Sequence, residues 1–242
     1  MRYIPGLILA TVLMGGLTAR ADEIDEAANA AENRAWLSKA AAEFSAGVEQ
    51  GLPLYAARTM ESLPAREEYL EREGWCSYYC CAPQIDASAS SSLAASGGLS
   101  YGAEQAWDYD TATAWVEGVD GDGMGQSLSY AFRTHAGENP DGAPYQQQYV
   151  NGLEIITGYS KSAALHAANG AVLQLKLSIN GQAVCFVDLQ DSMDIQEVTF
   201  EPVYLGGEKD PVLTLEISGV RKGGKYSDTA ISEIVFRGGP CH

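Results

Sequence analysis

Residues 172–189 hold the pattern that most constrains the fold of this chain. Leucine and isoleucine occupy alternate positions from residue 173 to residue 179, a period that places apolar side chains on one face of a β-strand. Asn180-Gly181 follows, a two-residue turn that favours a hairpin with positive φ at both positions. Residues 183–189 then supply the returning strand. The sequence therefore predicts an antiparallel β-sheet here.

Short apolar patterns of the same kind occur elsewhere in the second half of the chain. They cover residues 127–133, 153–156, 198–200, 213–217 and 231–236. Short strands separated by turn residues are typical of a β-sandwich or a jelly roll. Strands do not alternate with helices along this part of the chain, which argues against an α/β fold of the Rossmann type. We therefore expect a mainly β jelly-roll sandwich.

Residues 1–21 have the features of a secretory signal peptide. Arg2 supplies the positive charge, residues 4–17 form a short apolar stretch, and Ala19-Arg20-Ala21 fits the small-residue cleavage pattern. The apolar stretch is too short for a comfortable membrane span. No later segment is long and apolar enough to cross a bilayer. We therefore expect a protein that is secreted or periplasmic once residues 1–21 are removed.

Residues 22–84 are predicted to form a helical extension with a cysteine-rich end. Acidic residues cluster near residue 22, where negative charge suits the start of a helix, and apolar residues follow at helical spacing. A second helical stretch is predicted for residues 54–73. The sequence leaves three roles open for this extension: packing on the sheet domain, self-association, or a stalk.

The chain is strongly acidic, with a formal net charge of −17. Nucleic-acid binding needs a dense basic surface to neutralise phosphates, and the composition offers none. The same acidity argues against a purely electrostatic attachment to anionic lipid. Solubility alone is a sufficient reason for such a charge.

The sequence contains five cysteines, which are Cys76, Cys80, Cys81, Cys185 and Cys241. In an oxidising compartment this odd number predicts two disulfides and one remaining thiol. The spacing does not select a pairing. The spacing within residues 76–81 would also suit a metal site, although no second cysteine pair of this kind completes it.

Catalytic motifs are missing from the sequence. It has no GxSxG, HExxH or Cys/His signature, and His135 and His166 have no nucleophile pattern beside them. Residues 121–125 are rich in glycine but lack the spacing of a nucleotide-binding loop and of an EF-hand. We therefore expect a protein that is not an enzyme.

Two motifs indicate a particular family: AWDYDTATAWVEG at residues 106–118 and RKGGKYSDT at residues 221–229. Together with GYSKS at residues 158–162, they resemble the discoidin-like (coagulation-factor type C) domains. The resemblance is strongest to the glycan-binding, translocation-promoting module of secreted NAD glycohydrolases. It implies a galactose-binding-like jelly roll over residues 85–238, followed by a tail of residues 239–242. It covers only the accessory module, which argues against NAD hydrolysis by this chain.

The resemblance implies a structural calcium ion at the first motif. Carried over by position, its ligands would be Asp108, Asp110, Thr113 and Glu233, and Trp115 would be a buried anchor below the loop. A hard cation prefers such oxygen ligands. The alternative is that the two aspartates only form turns, through bonds from their side chains to the backbone.

The resemblance also implies a ligand-binding surface made by loops. Tyr159 and Tyr226 would stack on sugars, while Lys161, Lys225 and Asp228 would bind hydroxyl groups. The alternative is a structural network in which Glu117 and Asp228 pair with the cations of residues 221–225.

These observations favour a secreted or periplasmic, non-catalytic module that binds carbohydrate or a glycosylated surface. The alternative from another class is a structural or adaptor protein, in which the β-domain docks another exported protein. A hydrolase is the third and most distant reading, because glycosidases need two placed carboxylates and the motifs single out no such pair.

Overall fold

The computed structural model describes residues 51–59, 85–132, 149–205 and 210–239. Within these ranges the chain is mainly β, with one short helix, α1 (Ala163–Ala168), and a 3-10 turn at Ala103–Ala106. The described strands are β1 (Leu54–Ala56), β2 (Arg58–Thr59), β3 (Ile85–Ala89), β4 (Trp115–Val116), β5 (Ser127–Phe132), β6 (Tyr149–Thr157), β7 (Gly170–Ile179), β8 (Gln182–Asp188), β9 (Gln196–Tyr204), β10 (Val212–Arg221) and β11 (Thr229–Gly239). The strands predicted from alternation are thereby confirmed.

The strands follow the order β2-β9-β6-β11-β7-β10-β5-β3, with β8 on β7, β1 on β8 and β4 on β11. Strand β11 changes partner along its length. Its first residues, Thr229 and Ala230, pair in parallel with β7, and its later residues pair antiparallel with β6. Strand β11 therefore joins two groups of strands, β9-β6 on one side and β7-β10-β5 on the other.

These two groups of strands face each other across an aromatic core. The rings of Tyr130 on β5 and Phe236 on β11 lie 4.8 Å apart between centroids, although β5 and β11 are not neighbours in the sheet. Phe132 contacts the same ring at 5.5 Å, and Trp107 adds contacts to both layers at 5.5 and 5.8 Å. The alternation in β5 thus buries one side chain in two between the layers of a β-sandwich.

The hairpin predicted at Asn180-Gly181 is confirmed. Both residues have positive φ, 51° and 80°, and Ile179 pairs with Gln182 across the turn. The Asn180 side chain also accepts a hydrogen bond from the Val212 amide at 2.9 Å. The turn chemistry read from the sequence therefore fixes the register of β7 and β8.

The prediction of helix from residue 54 onward is wrong where the structure describes that segment. Leu54 pairs in parallel with Phe186 of β8, and Arg58 pairs with Glu197 of β9. The sheet therefore takes strands from upstream of residue 85, where the sequence places the start of the β-domain. The rest of the predicted helical extension and the predicted signal peptide lie outside the described residues. No helix in the described ranges is both long and apolar enough to cross a membrane.

Cys185 on β8 is a free thiol, fully buried in the core. Burial raises its pKa to about 12, so the thiol is protonated and unreactive at neutral pH. The other four cysteines lie outside the described residues, and the two predicted disulfides stay predictions.

Candidate functional site

Helix α1 supports the basic loop of residues 222–228. Ser162 caps the start of the helix, where its hydroxyl accepts a hydrogen bond from the Leu165 amide. At the other end, the carbonyl of Ala167 accepts from the amide of Gly224 at 2.9 Å. The Ala168 carbonyl accepts from two further amides, those of residues 225 and 226, at 3.1 and 2.9 Å. The loop thus satisfies the carbonyl groups that a helix end leaves without partners.

Arg221 fixes the start of the same loop. Its guanidinium donates to the carbonyls of His166 and Asn169 at 2.9 and 2.8 Å. Its Nε lies 3.0 Å from the Asp191 carboxylate. The ion pair of Arg221 within the described residues is therefore with Asp191, and not with Glu117 as the structural alternative proposed.

Glu117 has a different role from the predicted ion pair. It is fully buried, its Oε1 accepts from the Thr229 amide at 3.1 Å, and its Oε2 accepts from the Val119 amide at 2.9 Å. Burial raises the pKa of this carboxyl. A Cβ at Gly123 would lie 2.4 Å from the Glu117 Cγ, so the chain there must be glycine. Glu117 thereby connects the loop after β4 to the loop before β11.

These anchors leave the side chains of Lys225, Tyr226 and Ser227 exposed. Tyr226 has 42% of its surface accessible, and the Nζ of Lys225 lies 4.8 Å from the centroid of the Tyr226 ring. This contact raises the pKa of Lys225, which is fully exposed. We call these two side chains the Lys225–Tyr226 platform. Asp228 belongs to the same loop and is half-buried, whereas exposed Lys161 precedes the other end of α1.

Tyr159 is not a surface residue, contrary to the prediction that it stacks on sugar. It is 7% exposed and belongs to a buried cluster. The other members of that cluster are Ala114, Val116 and Ala230, with Leu93, Tyr101 and Leu165 packed around them. Burial raises the pKa of its phenol, and the neighbouring Tyr101 and Asp110 add to the effect. Tyr159 is therefore a core residue under the loops.

The motif at residues 108–115 folds as a tight loop held by its own side chains. The Asp108 carboxylate accepts from the Asp110 amide at 2.9 Å and from the Thr113 hydroxyl at 2.8 Å. The Asp110 carboxylate accepts from the Ala112 amide at 2.9 Å. Both aspartates therefore form turns, as the structural alternative states. Trp115 is fully buried, and its indole donates to the Ser91 carbonyl at 2.9 Å, which confirms its anchoring position.

Glu233 lies under this loop as a buried carboxyl. It is 2% exposed, and its Oε2 has no hydrogen-bond partner. Its pKa is raised to about 8, mainly by burial, and the charges of Asp108 and Asp110 contribute to the increase. The structure therefore places all four predicted calcium ligands, Asp108, Asp110, Thr113 and Glu233, at this loop.

The donor set fits a calcium ion in part. All its atoms are oxygens, and a bound cation would satisfy the orphaned Oε2 of Glu233. Within the four described ranges, however, no three His, Cys, Asp or Glu side chains are placed to hold a metal ion by themselves. Backbone carbonyls or the Thr113 hydroxyl would have to complete the shell, and calcium at this loop stays a prediction.

Comparison with known families decides the membership of the chain. The profile described as "NAD glycohydrolase translocation F5/8 type C domain" matches residues 78–237. The chain belongs to this family. Membership supports the expectation of a non-catalytic binding module. The matched residues include strands β3 to β10, most of strand β11, helix α1 and both loops described above.

Solved structures show only distant likeness to this translocation-type domain. The CBM32-1 and CBM32-2 domains of Clostridium perfringens ZmpB in complex with GalNAc share 12% identity, cover 78% of this chain and 40% of theirs, and have a TM-score of 0.48. The mycobacterial arabinofuranosyltransferase AftD shares 19% identity and has a TM-score of 0.40. That match covers 62% of this chain and 10% of AftD. No curated protein matches. The chain spans less than half the length of these structures.

Two features of this translocation-type domain have no signal in the sequence. Asp191 lies 30 residues before Arg221, on the segment between β8 and β9, and no motif links them. His166 lies between these two charges, with Nδ1 3.3 Å from the guanidinium of Arg221 and Nε2 4.0 Å from Asp191. Burial and Arg221 lower the His166 pKa, so this histidine is neutral at pH 7.

Proposed function

We propose that this chain is a secreted or periplasmic binding module whose ligand is a carbohydrate or a glycosylated surface. The observation that carries the proposal is the Lys225–Tyr226 platform, an exposed aromatic ring and ammonium group on a backbone held against α1. Location outside the cytoplasm rests on the signal-peptide pattern of residues 1–21.

A fixed, exposed aromatic ring is suited to a sugar. The apolar C–H face of a pyranose packs on a tyrosine ring, and polar neighbours bind the hydroxyl groups. The bonds from three loop amides to α1 order this loop before any ligand arrives. Such preorganisation lowers the entropic cost of binding, which matters for a small and shallow contact.

The alternative is an adaptor that docks another exported protein, and one observation favours it. Tyr204 on β9 is 56% exposed and contacts Tyr149 with ring centroids 5.9 Å apart. Exposed tyrosines are enriched where proteins bind one another. This aromatic pair lies on the strands and not on the basic loop, so the two proposals predict effects from different residues.

A glycan array on the mature protein separates the two proposals. We expect reproducible binding to a related set of sugars, lost by about tenfold in Tyr226→Ala, which corresponds to about 1.4 kcal/mol. Tyr204→Ala is the matched control, since it removes an exposed tyrosine elsewhere and should leave the array unchanged. A blank array, or equal loss in both variants, would contradict the sugar proposal and favour the adaptor.

We further propose that calcium, where it binds, is held by Asp108, Asp110, Thr113 and Glu233. The ion would supply charge neutralisation for carboxylates that are crowded under the loop. The array repeated in EDTA tests this. Loss of sugar binding in EDTA would support an ion that orders the loop, and unchanged binding would separate the ion from sugar recognition.

A further inference from the structure

We infer that the Lys225–Tyr226 platform prefers sugars that carry an acidic group, a carboxylate or a sulfate, over neutral sugars with the same core. This inference rests on the proposed function and specifies its ligand class. It comes from the accounting of charges around the basic loop.

Most described cations of this chain are already neutralised. Arg221 pairs with Asp191, Lys176 with Glu216, and Arg237 with two glutamates. Lys225 differs, since no carboxylate of the described residues lies within ion-pair distance and its contact is the Tyr226 ring. In a chain with 32 acidic and 15 basic residues, a lysine left without an acid leaves a positive charge free for a ligand.

Two acids near the loop already have partners. Asp191 is held by Arg221, and both oxygens of Glu117 accept hydrogen bonds from backbone amides inside the core. Asp228 closes the loop and is half-buried. The large net charge of the chain acts weakly here, because salt screens charges beyond about 8 Å at physiological ionic strength. Among the charged side chains of residues 222–228, Lys225 is the exposed one, so a ligand at the platform meets its ammonium first.

The ammonium of Lys225 lies over one face of the Tyr226 ring, so a sugar packs on the opposite face or displaces the ammonium from this one. The ammonium lies 4.8 Å from the ring centroid, so an anionic substituent of a sugar packed on Tyr226 can reach it within a few ångströms. The lysine stem is exposed and can turn from the ring toward the anion, while the backbone of the loop is held by α1. One ligand can therefore use both groups at once, with the ring holding the sugar face and the ammonium holding the acid.

The test compares three ligands with one core: lactose, sialyllactose and sulfated lactose, titrated into the mature protein at low and high salt. We expect the two acidic sugars to bind about fivefold more tightly than lactose at low salt, equivalent to about 1 kcal/mol. The preference should fall as salt rises. Lys225→Met should abolish the preference, so that the variant binds all three sugars with equal affinity.

Lys176→Met is the matched control, because it removes the same charge from β7, away from the loop. The preference should survive in that variant. If the parent protein binds all three sugars with equal affinity, and Tyr226→Ala weakens that binding, this inference is overturned and the proposed function stands. Absence of any sugar binding would overturn both. Vesicles with and without phosphatidylserine are tested alongside the sugars. Binding that needs both phosphatidylserine and Lys225, with no preference for acidic sugars, would overturn the inference in favour of an anionic lipid surface.

Discussion

Replacing Glu154 by glutamine should stabilise the protein, by an amount that grows with pH. Glu154 on β6 is 3% exposed and lies directly opposite Glu197 on β9, with Arg237 paired to both. Its Oε2 has no hydrogen-bond partner. Burial is the main cause that raises its pKa to about 7 from an ordinary 4.5; Arg237 opposes the increase and Glu197 adds to it.

The sign follows from proton linkage. The folded state holds the Glu154 proton more tightly than the unfolded state, so the free energy of unfolding falls as pH rises from about 4.5 to about 7. The two pKa values of Glu154 differ by about 2.5, and one pKa unit corresponds to about 1.36 kcal/mol. Above pH 7 the ionised carboxylate therefore lowers the free energy of unfolding by about 3 kcal/mol. Glu154→Gln resembles the protonated form and should remove that cost, raising Tm by about 6–12 °C at pH 8.5 and by almost nothing at pH 4.

Denaturant titrations of both proteins from pH 4 to pH 8.5 measure this difference. Glu201→Gln is the control, since it replaces an exposed glutamate by glutamine on the neighbouring strand β9. A Glu154→Gln protein that is less stable than the parent throughout, or a difference that does not change with pH, would refute the reasoning. Either result would mean that Arg237 compensates the buried charge in full.

Three further predictions concern the loops. Gly158→Ala should lower the free energy of unfolding by about 2–4 kcal/mol in thermal melts, because its φ is +74° and a Cβ would lie 2.5 Å from the His166 ring. Gly181→Ala, where φ is +80° and the space around the Cβ is open, should lower it by only about 1 kcal/mol. Arg221→Lys keeps the charge but loses the fork that holds the loop, so we expect a loss of about 2 kcal/mol in unfolding and weaker sugar binding by calorimetry. If calcium binds, a calcium concentration of about 100 times its Kd should raise the free energy of unfolding of the parent protein by about 2.7 kcal/mol. The same concentration should not stabilise Glu233→Gln. An absence of stabilisation in both proteins would argue against the ion.

Local chemistry explains which parts of the fold could be predicted from the sequence. The Asn180-Gly181 turn needs positive φ at both positions, and few residue types adopt positive φ readily. The identities of these two residues are therefore enough to predict the hairpin. The alternation of Leu213, Leu215 and Ile217 likewise predicted a half-buried strand, and all three are buried. In both cases the cause lies within the segment itself.

The errors come from environments built by distant strands. Leu54 lies in a segment with helical composition, but pairing with Phe186, 132 positions along the chain, overrides that propensity. Tyr159 stands in a polar stretch that predicts exposure, but Ala114, just before β4, and Ala230 on β11 cover it. At the candidate site, Lys225 and Tyr226 are exposed, and their binding role stays a prediction. The partners that hold their loop could not be read from any motif.

The double pairing of β11 has a consequence for how this domain folds. Strand β11 is the last described strand in chain order, and it pairs with β4, β6 and β7. Until it is synthesised, one edge of β6 and the first two residues of β7 have no partner strand there, and the aromatic ring of Phe236 is missing from the core. The two layers can therefore close only after translation has reached that strand, and closure must join segments far apart in the chain. Such long-range closure makes folding slow, with exposed strand edges that favour assistance by a chaperone before the sandwich forms.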